Sequence, residues 1–312
     1  MEKLHILSNE DGWHMPSVEE LVEAFKIFLE VKYQSHHKKY LDRLASDPEA
    51  ARAEAVLFSV LRWARLDPVI SEDVSSGGID FLCHKDGKDC PAFFLEVTSL
   101  GADAAAGASG IPEAIPDASS AGWYKTIAKQ LHRIVCNKTP QLSARGLPCV
   151  LAITTEHYSG EALLGIQAAE SLLIGDTKIS MPVGEAEAKI SIITELKESA
   201  FFRPKKESGE IEACRKGIAA ILLVQIYSKE CRIVGLLHPD PTHSFSINLL
   251  SSIPFLRLRN WPPKDNRLSA EWVIASPEAA QFYYQSVQLT DEDLKMDSIL
   301  TAPKGIQIDY QP

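Results

Sequence analysis

The chain lacks several features that would have fixed its function at once. None of its six cysteines, Cys83, Cys90, Cys136, Cys149, Cys214 and Cys231, forms a CxxC pair, which disfavours a zinc ribbon or a thiol redox motif. No run approaches the roughly 18 apolar residues needed to span a bilayer. The opening residues MEKLHILSNEDGWHMP carry acids and His where a secretory signal needs an apolar centre. A cytoplasmic setting without membrane insertion is therefore expected. Neither a P-loop nor a GxGxxG fingerprint follows any apolar run, so nucleotide-cofactor binding has no support. There is no GxSxG, and Ser, His and Asp are too dispersed to nominate a triad. Internal repeats are absent as well.

What remains is an ordinary globular composition: 312 residues, 45% hydrophobic and 24% charged, with a net charge of -10. Such a surplus of acid repels polyanions, so contact with nucleic acid would need a local basic patch. One window supplies it. From Ala118 to Thr155 there are five basic residues, Lys125, Lys129, Arg133, Lys138 and Arg145, and no acid.

Residues 17 to 45 show helical spacing at Leu21, Phe25, Phe28 and Leu29, with Ser17 and Glu20 forming a capping-box pattern. A second helix start lies at Asp47-Pro48, where Asp47 can cap and Pro48 suits the first turn. Asp67-Pro68 is expected to end that helix. Short β-type runs follow at 78–84 and 92–100, divided by the turn-rich HKDGKDCP. Residues 101–121 read as a mobile loop, 122–137 as a helix, 148–155 as a buried strand and EALLGIQAAESLLIG as a helix. KISII, AAILLVQIYS and CRIVGLLHP read as further strands. The order predicts an α/β fold with a central mixed sheet flanked by helices. Three regions are expected: a helical arm over 1–46, an α/β core over 47–175, and C-terminal strands and helices over 176–312 that pack on the core or continue it.

Two acids interrupt the β-type runs. Asp80 closes GGID, and Glu96 sits in FFLEVTSL between Leu95 and Val97. Taken singly, Asp80 could steady the turn after Gly77-Gly78, and Glu96 could face solvent. A carboxylate in an apolar strand is costly unless paired, hydrogen-bonded or metal-bound. Two of them on adjacent strands make a hard-oxygen site suited to Mg²⁺ or Mn²⁺, and hence to phosphodiester hydrolysis.

This arrangement resembles the PD-(D/E)xK superfamily of restriction-endonuclease-like nucleases over roughly residues 47–155. The family pattern is an acid after a Gly- or Pro-containing turn, a hairpin, then Glu-x-Lys on the next strand. Asp80 matches the first acid and Glu96 the second, while Glu54 occupies the place of a further Glu on the preceding helix. The resemblance implies that Asp80, Glu96, Glu54 and the Val97 carbonyl hold Mg²⁺ or Mn²⁺. It further implies a nucleic-acid substrate, DNA more often than RNA, and a possible homodimer. Where the family has its lysine, this chain has Thr98. In some members the lysine has moved to the next helix, beside a Gln; Lys125, Lys129 and Gln130 match that variant. The competing expectation is a catalytically inactive form of the fold, acting as a binding or interaction module.

Overall fold

The computed structural model describes residues 16–73, 75, 77–85, 89–110, 127–143, 145–180, 191–195, 199–227, 230–263, 267–277 and 306–309. Three helices come first, α1 (Val18–Lys32), α2 (Gln34–Ser46) and α3 (Pro48–Trp63). After them run β1 (Leu66–Ile70), β2 (Phe81–Lys85), β3 (Pro91–Ser99), α4 (Ala102–Ser109), α5 (Ala128–Leu142) and β4 (Cys149–Thr155). Next are α6 (Gly160–Leu164), α7 (Ile166–Ile174), β5 (Asp176–Ser180), β6 (Ser191–Glu195), β7 (Phe202–Pro204), β8 (Ile211–Ala213), β9 (Ala220–Tyr227) and β10 (Glu230–Leu237). The last are β11 (Phe255–Leu258), β12 (Arg267–Val273) and β13 (Ile306–Asp309).

The capping box expected at Ser17 is formed: the Glu20 N–H donates to Ser17 Oγ, and the Ser17 N–H to Glu20 Oε2. The single helical arm expected over 17–45 is instead two helices. Tyr33 leaves the helical region at φ -142° and ψ 60°, and the chain doubles back there. The turn lets Phe25 meet Tyr40 edge-on, with ring centroids 5.0 Å apart, and both side chains are buried. Asp47 caps α3 as its sequence predicts, with Pro48 in the first turn. Asp67-Pro68, however, lies inside β1 rather than at a helix end. A proline is tolerated there because β1 is the outermost strand, where one missing N–H need cost no ladder bond. Within 101–121, Ala102–Ser109 is helical and closes on Gly110 at φ +76°, a left-handed cap that favours glycine; residues 111–121 lie outside the described set. The helix expected over 122–137 is α5, set about five residues later. Its partner over 161–175 is broken at Gly165 into α6 and α7.

Among the described residues, nine strands form one mixed sheet in the order β1-β2-β3-β4-β9-β10-β11-β12-β13. β1, β2 and β3 are antiparallel, and β3, β4 and β9 are parallel. β10 returns antiparallel to β9 and runs parallel to β11. Strands from the C-terminal region therefore continue the same sheet that begins at residue 66.

Strand alternation divides the core in two. Phe93 and Leu95 of β3, with Val150 and Ala152 of β4, face α1, α2 and α3. Leu151 and Ile153 of β4, with Ile221 and Leu223 of β9, face α5, α6 and α7. The fold is thus a mixed α/β architecture, a large central mixed sheet flanked by helices. Among the described residues, no helix is long and apolar enough to cross a membrane.

Candidate active site

The β2–β3 ladder runs Leu82↔Phe94, then Phe81↔Leu95. Asp80 immediately precedes β2 and Glu96 follows Leu95, so extending this register by one step would set the two acids opposite each other. Directly opposed residues of an antiparallel pair hold their Cβ atoms about 4.5–5.5 Å apart, so that register would make the two acids neighbours. Asp80 is fixed on both sides. Its carbonyl accepts from the Ser71 N–H at 2.9 Å, and its Oδ2 accepts from the Val97 N–H at 2.7 Å. Gly77 at φ +72° and Gly78 at φ +149° make the turn that delivers it, conformations that side chains other than glycine rarely adopt.

Glu96 points to the opposite face from Leu95, towards α5, and is only 3% exposed. Two residues of that helix meet it there. Lys138 Nζ lies 2.6 Å from Glu96 Oε1, and Gln141 Nε2 donates to Glu96 Oε2 at 2.9 Å. Gln141 Nε2 also donates to the Gly78 carbonyl at 2.5 Å. Positions three apart share a helical face, so a single turn of α5 carries the ammonium and the amide to the same carboxylate. The amide ties the acid-bearing strand to the turn before Asp80.

Electrostatics follow from this burial. Desolvation, then repulsion from Glu96, pushes the Asp80 carboxyl up to about 7, with the Val97 N–H opposing the rise. Burial likewise pushes Glu96 upward, while Lys138 and Gln141 pull it back. Lys138 thus compensates the buried Glu96, whereas the cation opposing the rise at the half-buried Asp80 is the more distant Arg43.

Beside Asp80 a cavity opens towards α2, lined among others by His36, Lys39, Arg43, Glu54 and Glu72. Lys39 Nζ is 2.6 Å from Glu72 Oε1, and His36 Nε2 is 2.8 Å from the Glu72 carbonyl. Arg43 is paired with Glu54. Glu54 is therefore brought to the Asp80 side of the site, but in a salt bridge of its own. Glu72, which sequence reasoning did not single out, lines the same cavity and adds to the rise at Asp80.

The expected helix lysines divide differently. Lys125 lies outside the described residues. Lys129 is exposed, Gln130 is half-buried, and it is Lys138 and Gln141 that reach Glu96. Nine residues of helix turn through about two and a half revolutions, so Lys138 projects from the face opposite Lys129. A signal for it was present. Leu131, Val135 and Leu142 form the buried stripe of α5, and Lys138 falls on that stripe at the i+7, i+3 and i-4 positions.

Asp80 and Glu96 carry hard oxygen donors of the type Mg²⁺ prefers, and Asp80 Oδ2 and both Glu96 oxygens already accept from Val97, Lys138 and Gln141. Among the described residues, no three His, Cys, Asp or Glu side chains stand close enough to hold an ion by themselves. Mg²⁺ characteristically takes one or two carboxylates and completes its shell with water and substrate phosphate, which is the donor set this pair can supply. Comparison of the chain with protein-family models, with curated proteins and with solved structures gives no match.

Proposed function

We propose that the chain is a metal-dependent nuclease with a restriction-endonuclease-like core, in which Asp80 and Glu96 hold Mg²⁺ or Mn²⁺ against a nucleic-acid phosphate, most readily DNA. One observation carries the reading: an ammonium, Lys138, set 2.6 Å from the buried Glu96, whose strand neighbour Val97 holds Asp80 through its N–H. Thr98 cannot supply the positive charge that the family pattern places on the strand; Lys138 supplies it from α5.

A bound divalent ion would polarise the phosphoryl oxygen and lower the pKa of a water. The chain's own residues do the rest. Asp80, oriented by the Val97 N–H, and Glu96, oriented by Gln141, would supply the carboxylate oxygens. The Val97 carbonyl offers a further oxygen. Lys138 steadies the negative charge that develops on the phosphate, an electrostatic role that needs no rearrangement during reaction. Glu54 would join by exchanging Arg43 for the ion or its water. The exposed Lys129 and Arg133, one turn apart on α5 and on the face away from Lys138, would meet only phosphate backbone that passes around the helix.

The test is cleavage of single- and double-stranded DNA and RNA with Mg²⁺ or Mn²⁺. Asp80→Asn, Glu96→Gln and Lys138→Ala are each expected to lower kcat by about 10²–10³-fold. Lys129→Ala should leave kcat unchanged while raising KM and flattening its salt dependence. If folded wild type cuts no substrate and calorimetry detects no Mn²⁺ binding, the nuclease reading fails and the non-catalytic binding module takes its place.

A further inference from the structure

On the other side of α5 a second group of reactive side chains is gathered around one arginine. Arg215 Nη1 lies 3.0 Å from Cys214 Sγ, and Arg215 Nη2 lies 3.1 Å from Cys136 Sγ. The same Nη2 is 2.8 Å from His132 Nε2, and Nη1 donates to the Ala200 carbonyl at 2.8 Å and to the Ser199 carbonyl at 3.2 Å. Two thiols from distant parts of the chain thus lie within the span of a single guanidinium. Both are half-buried, as is Cys231, whereas Cys83 and Cys149 are buried. Arg215 is held at φ +58°, a backbone conformation uncommon for a residue with a side chain, so its guanidinium is placed at some cost.

We infer that Cys136 and Cys214 are a peroxide-responsive thiol pair, joined by a disulfide on oxidation, with Arg215 gathering both sulfurs at one guanidinium. A neighbouring guanidinium stabilises thiolate over thiol. Burial pushes the Cys214 thiol upward, and Arg215 opposes the rise. In the first step, the Cys136 thiolate attacks one oxygen of a hydroperoxide; the O–O bond breaks, hydroxide leaves, and Cys136 becomes a sulfenic acid. In the second, Cys214 sulfur attacks Cys136 sulfur and displaces the hydroxyl. The thiol proton and the departing oxygen leave as water, so two thiols and one hydrogen peroxide give one disulfide and two waters. Closure needs Cβ atoms about 3.8 Å apart, so the guanidinium must swing out from between the sulfurs. The bond would then fasten the turn of α5 just before Lys138 to the segment leading into β9. Nothing in this chemistry depends on the nuclease reading.

The experiment uses the full-length protein with Cys90→Ser, which removes the exposed thiol. Reduced protein is treated with hydrogen peroxide, blocked with iodoacetamide, digested and analysed by mass spectrometry. The expected result is a linked Cys136–Cys214 peptide, with Cys83 and Cys149 recovered alkylated only after unfolding. Arg215→Ala should slow linkage about tenfold. Because Arg215 also holds the Ser199 and Ala200 carbonyls, that variant can unfold, so Cys214→Ser and Cys136→Ser provide the second arm. Cys214→Ser should trap a dimedone-reactive sulfenic acid on Cys136, and Cys136→Ser should show none on Cys214. Recovery of both cysteines unlinked after oxidation, or linkage at the wild-type rate in a folded Arg215→Ala protein, would overturn the inference.

Discussion

At the scale of single residues, a buried histidine and a half-buried carboxylate make opposite demands on pH. His238 is 5% exposed; its Nε2 lies 2.8 Å from the Cys214 carbonyl, and its Nδ1 accepts from the Asp240 N–H at 2.9 Å. This pattern requires the neutral ring with its proton on Nε2, and burial lowers the histidine to about 4. Its contribution is intact above the unfolded value near 6.5 and is lost as pH falls from there towards 4. Denaturation at pH 7.5 and 4.5 should show wild type losing on the order of 3 kcal/mol more than His238→Asn over that interval. Asp80 runs the other way. Its folded value is raised, so the cost of ionising it is absent near pH 4, grows as pH rises and is complete above about 7. Without metal, Asp80→Asn should stabilise the protein at pH 8, by up to a few kcal/mol, and have little effect at pH 4. Equal shifts at both pH values would show that Asp80 carries no buried charge.

Sequence alone reached the acids more surely than their partners, for a physical reason. A carboxylate inside FFLEVTSL is conspicuous because strand burial excludes it. A lysine on a helix is common, and only its position relative to Leu131, Val135 and Leu142 separates Lys138 from Lys129. Glu72 and Arg43 could not have been found by such patterns, since the cavity that joins them to Asp80 depends on how α2 packs.

Elements show where sheet geometry is least forgiving. Gly235 of β10 pairs with Phe255 of β11, and a Cβ on Gly235 would stand 2.2 Å from the Phe255 ring. Gly235→Ala should destabilise the protein by about 1–3 kcal/mol. Phe255→Leu in the same chain should cost less than the two single changes added together, because the smaller side chain removes the collision. Strict additivity in urea denaturation would show that the two residues do not meet. The arm over 17–46 shows how a pattern can be right and its extent wrong. The apolar spacing of α1 was readable, but the reversal at Tyr33 was not, because no Gly or Pro marks it and the pairing of Phe25 with Tyr40 sets it from a distance.

For the molecule as a whole, the position of β9 decides what can be separated. It is parallel to β4 at the centre of the sheet, joined through Val150–Thr155. A fragment ending at residue 175 would leave that edge of β4 bare, with unpaired backbone groups beside the apolar Val150, Leu151, Ala152 and Ile153. Exposed edges of this kind recruit other strands. Such a fragment is expected to elute as large aggregates on size exclusion, whereas the full chain should not; a monomeric, folded fragment would show that β9 is dispensable.

The same placement imposes an order in time. β1, β2 and β3 are consecutive and antiparallel, so the hairpin that brings Asp80 near Glu96 closes over short loops, whereas β4 must wait for β9, some 70 residues on. Long loops close later and at greater entropic cost. During synthesis the two acids would therefore meet before the helix bearing Lys138 is clamped over them, and in that interval their mutual repulsion would be relieved by protons or free cations rather than by the finished protein.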